Sequence, residues 1–227
     1  MNARRLSRLA GLSAMASGIL FIAIQLIHPS DVLSSVTTDR WLIVHYLGVA
    51  MCLFGILGVA GISSRQADEA GWTGLAGFLL MTLFYTLSMG FQFVEAFVSP
   101  ALAADSPAFV DGLLGIPSGH GSAVDLGALP TTYAVTGGLY LLGGVLFGIA
   151  TFRAGILPRR AAALLALGTV LPIVGASLPH PYDRAFAVPV GLALAWLGYA
   201  MWTDRREATT AQIPGTELPH LRQAATE

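Results

Sequence analysis

The sequence predicts an all-α integral membrane protein with six transmembrane helices. Three observations carry that expectation. The chain of 227 residues is 55% hydrophobic and only 11% charged, with a mean hydropathy of +0.69; soluble domains carry about 25% charged residues. Six stretches approach the roughly 20 apolar residues that span about 30 Å of hydrocarbon. Arginines cluster at alternate ends of those stretches, as the positive-inside rule requires. All 12 basic residues are Arg, which points to a GC-rich, bacterial genome. A net charge of -1 excludes a basic nucleic-acid surface. Cys52 is the single cysteine, so an intramolecular disulfide and a cysteine metal cluster are both excluded.

The first segment, 9–28, follows Arg4, Arg5 and Arg8. It is long enough to span, and no small-x-small site with a polar flank follows it, so it is expected to be an uncleaved first helix. The next segments are 41–62, 72–98, 133–152, 161–179 and 185–203. Each must be helical, because lipid offers the backbone no hydrogen bonds. Arg4, Arg5, Arg8, Arg65, Arg153, Arg159, Arg160, Arg205 and Arg206 fall on one side, Arg40 and Arg184 on the other. Both termini are therefore expected in the cytoplasm of a multi-pass cell-membrane protein. Residues 1–203 form one transmembrane domain. The polar segment 204–227 lacks an apolar period and is expected to be a disordered cytoplasmic tail.

Small residues recur at helical spacing at Ala10, Ala14 and Gly18, at Gly48, Cys52 and Gly55, and at Gly137, Gly144 and Gly148. Such ridges bring helices close together. Pro172 and Pro189 are expected to kink the fifth and sixth helices. Trp41, Trp72, Tyr133 and Trp202 lie at helix ends and suit an interfacial aromatic belt. The long outer loop 99–132 is of a length often used for lids or binding loops. Within it, Ser106-Pro107 is a helix start, and Phe109, Val110, Leu113 and Leu114 suit the bilayer surface.

That loop contains Pro117-Ser118-Gly119-His120. The tetrapeptide resembles the middle signature of the PAP2 lipid phosphatases, whose other motifs are Lys-x6-Arg-Pro and Ser-Arg-x5-His-x3-Asp. The chain has no Arg-Pro, and its Ser-Arg pairs, Ser7-Arg8 and Ser64-Arg65, lie upstream of the motif. A phosphate site needs several cations, and the outer face offers only Arg40 and Arg184. A PAP2-type phosphatase is therefore rejected. The tetrapeptide is expected to be a turn.

The polar residues within the spans are distributed unevenly. Tyr85, Ser88, Gln92, Glu95 and Ser99 are spaced 3, 4, 3 and 4 apart, which places them on one stripe of the third helix. A carboxylate in "FQFVEAFV" is costly in lipid. Glu95 either snorkels to headgroup water or faces the bundle interior, partnered or protonated; the polar row beneath it favours the interior. Tyr133, Thr136 and Tyr140 form a second row. Gln25 and His28 end the first helix, His45 lies one turn inside the second, and His180 ends the fifth. Ionisable and hydrogen-bonding groups thus converge on the outer leaflet.

Three function classes fit. One is an enzyme acting on a lipophilic, isoprenoid-like substrate by acid-base chemistry, a lyase or isomerase. Glu95, His45 and His180 would be its catalytic groups, and Tyr85, Ser88, Gln92, Gln25, His28, Tyr133 and Tyr140 its pocket. In size and layout the chain is similar to small membrane terpene cyclases, although no motif of theirs is matched. The second is a haem- or metal-binding redox protein using His28, His45 and His180. The plainer alternative for these histidines is a pair of similar helix stops, "HPSD" and "HPYD", with each His a hydrogen-bonded interfacial residue. The third class is a non-catalytic subunit or small permease.

Overall fold

The computed structural model describes residues 3–175, 178 and 182–203. Among these residues every element is helical. Five helices are long and apolar enough to cross a membrane: Arg4–Ile27, Asp39–Arg65, Ala67–Leu102, Leu129–Ala154 and Arg184–Thr203.

Helix α1 (Ala3–Ile27) is followed by a short 3-10 turn, Leu33–Ser35. Helix α2 (Asp39–Arg65) begins where the Thr38 hydroxyl accepts from the Trp41 amide at 3.3 Å, with Asp39 in its first turn. Both features satisfy the positive N-terminal end of a helix. Arg40 Nε donates to the Ile27 carbonyl at 2.7 Å and ties the end of α1 to the start of α2.

Helix α3 (Ala67–Phe93) contains a break at Gly71, with φ 56°, so its regular part starts at Trp72. It runs on through a π-helical turn, Val94–Val98, into the short α4 (Ser99–Leu102). Helix α5 (Pro107–Gly115) lies in the long connection that follows, and α6 (Leu129–Ala154) returns across the bundle. The predicted fifth span, 161–179, is instead two pieces, α7 (Arg159–Gly168) and α8 (Leu171–Gly175). A 3-10 turn, Tyr182–Ala187, leads into α9 (Val188–Thr203).

The predicted proline kinks do not occur. Pro172 and Pro189 each occupy the second position of a helix, α8 and α9. A missing N–H costs nothing there, because first-turn donors have no intrahelical partner.

The long helices pack in a closed ring, α9 against α1, then α2, α3, α6, α7 and back to α9. Small residues set the contacts. A Cβ on Gly18 would strike the Gly191 carbonyl, and one on Gly58 would lie 2.7 Å from the Ala14 Cα. Gly148 sits against Ala166 of α7. Gly137 departs from the expected ridge: no atom stands near its Cβ position, and it faces a pocket. Near the arginine-rich end, Gln66 is fully buried and donates to Thr151 at 2.7 Å, joining α2 to α6.

The apolar residues of α5 face the protein rather than an open surface. Val110, Leu113 and Leu114 of α5 are buried, and Val110 and Leu114 form a small core with Val36 and Trp41. Trp41 is therefore not a belt residue: it is 0% exposed, whereas Trp72 is 85% exposed. Helix α5 forms a roof over the outer end of α2.

Candidate active site

The break in the fifth segment makes room. Helix α7 stops at Gly168, and Thr169 turns in against Gly144, with its hydroxyl bonded to the Ala166 carbonyl at 2.9 Å. Beyond it, the half of the ring away from the arginine-rich end encloses a pocket of about 390 Å³. Small-molecule sites occupy about 300–1,000 Å³. Aromatic and aliphatic side chains form most of the wall, among them Phe21, Ile24, Met51, Phe84 and Phe91.

Polar side chains line it as well: Gln25 of α1 and His28 just beyond its end, Ser88 and Gln92 of α3, Glu95 of the π turn, and Tyr133, Thr136 and Tyr140 of α6. The two polar rows of the sequence therefore face one space. Tyr85 does not line it. Its ring is buried one turn deeper and packs on Gly55, because the stripe drifts around α3 into the α2 contact. Ser99 is buried beyond the other end of the stripe.

The central feature is a pair of ionisable groups. His45 is 1% exposed, and its Nε2 lies 3.2 Å from Glu95 Oε2. The contact has ion-pair distance without the alignment of a full hydrogen bond. Such geometry is common in unliganded sites and tightens on binding. His45 Nδ1 lies 2.7 Å from the Trp41 carbonyl, which can only accept. Nδ1 is therefore the protonated nitrogen, and Nε2 faces the carboxyl.

Glu95 is held by a backbone irregularity. In the π turn the Ser99 amide bonds to the Val94 carbonyl. The next residue, Pro100, has no N–H, so the Glu95 carbonyl lacks a backbone donor. The Trp41 indole N–H fills that role at 2.8 Å. Trp41 thus binds both members of the pair, His45 through its carbonyl and Glu95 through its ring. Single π turns inside helices are frequent at functional sites. Sequence reasoning missed this double role; Ser99-Pro100 at the end of a polar stripe was the available signal.

At the rim, His28 stacks edge-on with the His45 ring at 5.3 Å and with Trp41 at 6.0 Å. Its Nδ1 lies 2.7 Å from the Pro29 carbonyl and 3.7 Å from Asp31 Oδ1. Asp31 pairs with Arg184 at 3.3 Å, and both line the pocket. These two charged residues were absent from the predicted site. The expected metal set is only half tested: His28 and His45 come together, while His180 lies outside the described residues. Among the described residues no three potential ligands converge on one metal position.

The Pro-Ser-Gly-His stretch is a turn. Gly119 has φ 72°, and the His120 amide returns to the Gly115 carbonyl at 3.0 Å. Ser118 and His120 bond to each other at 2.5 Å on the exposed surface, and only Pro117 reaches the pocket. No family model, curated protein or solved structure matches this chain.

Proposed function

We propose that the chain is a membrane enzyme that moves protons on a lipophilic, isoprenoid-like substrate, in the manner of a cyclase or isomerase. The observation that carries this reading is the His45–Glu95 pair at 3.2 Å beside an aromatic pocket. The carboxyl lines the pocket and the imidazole behind it is buried, so Glu95 meets the substrate and His45 acts through it. One protonation state donates and the other accepts. Addition of a proton to an alkene or epoxide generates a cation, and its loss from a neighbouring carbon returns the proton. The net reaction is an isomerisation, which needs no co-reactant. Phe21, Phe84 and Phe91 line the pocket, and aromatic rings suit a developing positive charge.

In the proposed orientation the arginine-rich end faces the cytoplasm, both termini with it, and the pocket lies in the outer leaflet. In this reading the α7–α8 segment supplies the remaining crossing. Residues 204–227, the proposed cytoplasmic tail, lie outside the described residues.

The test is conversion of polyprenyl alcohols and epoxides by the protein in lipid nanodiscs, run in D₂O. Wild type is expected to give rearranged product carrying deuterium. Glu95→Gln is expected to give none, with an unchanged unfolding midpoint. A folded, fully active Gln variant would sink the reading.

A further inference from the structure

Several polar side chains of the pocket are not used by the protein. Gln25 of α1, and Ser88 and Gln92 of α3, line the pocket, and none makes a hydrogen bond among the described residues. The Gln92 carboxamide is pressed on the backbone of α2 at Gly48, with its Oε1 buried and unpartnered. A Cβ at position 48 would collide with it. Gly48 thus gives Gln92 its place, one turn below Glu95. Gln25 likewise stands one turn below His28. Two carboxamides and a hydroxyl therefore line the same pocket as Glu95, with Gln92 one turn and Ser88 two turns before it along the chain.

Gln25 offers two donors and an acceptor, the serine a donor and an acceptor, and Gln92, with its Oε1 buried against Gly48, the two N–H donors of its Nε2. Polar groups within an apolar wall cost free energy unless a partner arrives. A pocket for a bare hydrocarbon has no use for them. We infer that the ligand of this pocket is an oxygenated lipophile, whose carbonyl or hydroxyl oxygens are held by Gln25, Ser88 and Gln92 while its apolar chain lies along Phe21, Phe84 and Met51. The inference deepens the functional reading above by naming the substrate class. It holds for binding whether or not Glu95 performs chemistry.

Sites built to hydrogen-bond a ligand reject the analogue that lacks the bonding group, because their own groups are then left unpaired. A matched pair of probes therefore reads the inference. Farnesol and farnesene share a chain and differ in the hydroxyl. Binding is followed by tryptophan fluorescence of the full chain in nanodiscs. Wild type is expected to favour farnesol by about tenfold or more, beyond the difference in partitioning into empty nanodiscs. Gln25→Leu/Gln92→Leu removes both carboxamides at similar volume and is expected to erase that preference while farnesene binds as before. Ser88→Ala, which perturbs packing least, should reduce it in part.

Glu95→Gln separates the two readings. It is expected to keep the farnesol preference even where it abolishes turnover. Preference lost in Glu95→Gln and kept in Gln25→Leu/Gln92→Leu would place the oxygen at the acid-base pair and overturn the inference. Equal binding of both probes to wild type, or binding of neither, would also overturn it.

Discussion

At the scale of single residues, Trp41 connects the parts of the site. Its burial results from the roof formed by α5, and its indole N–H reaches a carbonyl that the π turn leaves without a backbone donor. Replacing it by Phe keeps most of the apolar volume and removes the donor. A buried carbonyl left unpaired costs about 1–3 kcal/mol. Trp41→Phe is therefore expected to lower the unfolding midpoint in detergent and to loosen Glu95, with a drop in turnover larger than the drop in folded fraction. An unchanged midpoint would mean that the Glu95 carbonyl has found another donor. His45→Gln should behave differently. It removes the imidazole that shares the proton, so turnover should fall while the nanodisc-bound protein still takes up farnesol.

At the scale of elements, the decisive features are two irregularities in otherwise regular helices. One is the π turn at Val94–Val98; the other is the interruption between α7 and α8. The π turn depends on Pro100, which cannot bond to the Ala96 carbonyl in an α-helical register and would crowd it. Pro100→Ala supplies the missing N–H and lets the turn relax to α geometry. A π turn carries one extra residue, so its loss rotates Glu95 away from His45 by about 100°, a little over a quarter of a helical turn. The expected outcome is a loss of turnover of at least tenfold at equal or higher thermal stability. Unchanged kinetics in this variant would show that the pair does not depend on the π turn.

At the scale of the whole molecule, the ring is closed by backbone contacts at glycine. Gly18 admits the Gly191 carbonyl where α1 meets α9. Overpacking costs about 1–3 kcal/mol and more where backbone is the obstacle. Gly18→Leu is thus expected to destabilise the fold sharply, while Gly90→Ala, with no atom near its Cβ position, should stay within about 0.5 kcal/mol of wild type. Unfolding midpoints of the two variants check this. The proposed orientation is open to cysteine labelling in a Cys52→Ser background. A cysteine at Ser118 should react with an impermeant reagent added outside whole cells, and one at Ser64 only after lysis. The reverse pattern would turn the molecule over and place the pocket in the inner leaflet.

Composition and periodicity determined what depends on local chemistry. The helical state and five helices long and apolar enough to cross a membrane follow from apolar length, while the Thr38 cap and the Gly71 break set where α2 and the regular part of α3 begin. The convergence of Ser88, Gln92 and Glu95 with Tyr133, Thr136 and Tyr140 was legible too, because polar side chains in a span must turn inward and helical spacing says which ones do so together. Tertiary structure alone decided the rest. Whether Tyr85 opens to the pocket or fills the α2 contact depends on how far α3 has rotated by that depth. Whether Trp41 faces lipid or supports Glu95 depends on where α5 folds back. The fifth segment is apolar enough to continue as one helix, yet it breaks at Thr169, and that break leaves the space the pocket occupies. Each of these outcomes depends on what a neighbouring helix presents across the contact, and spacing along one helix carries no record of it.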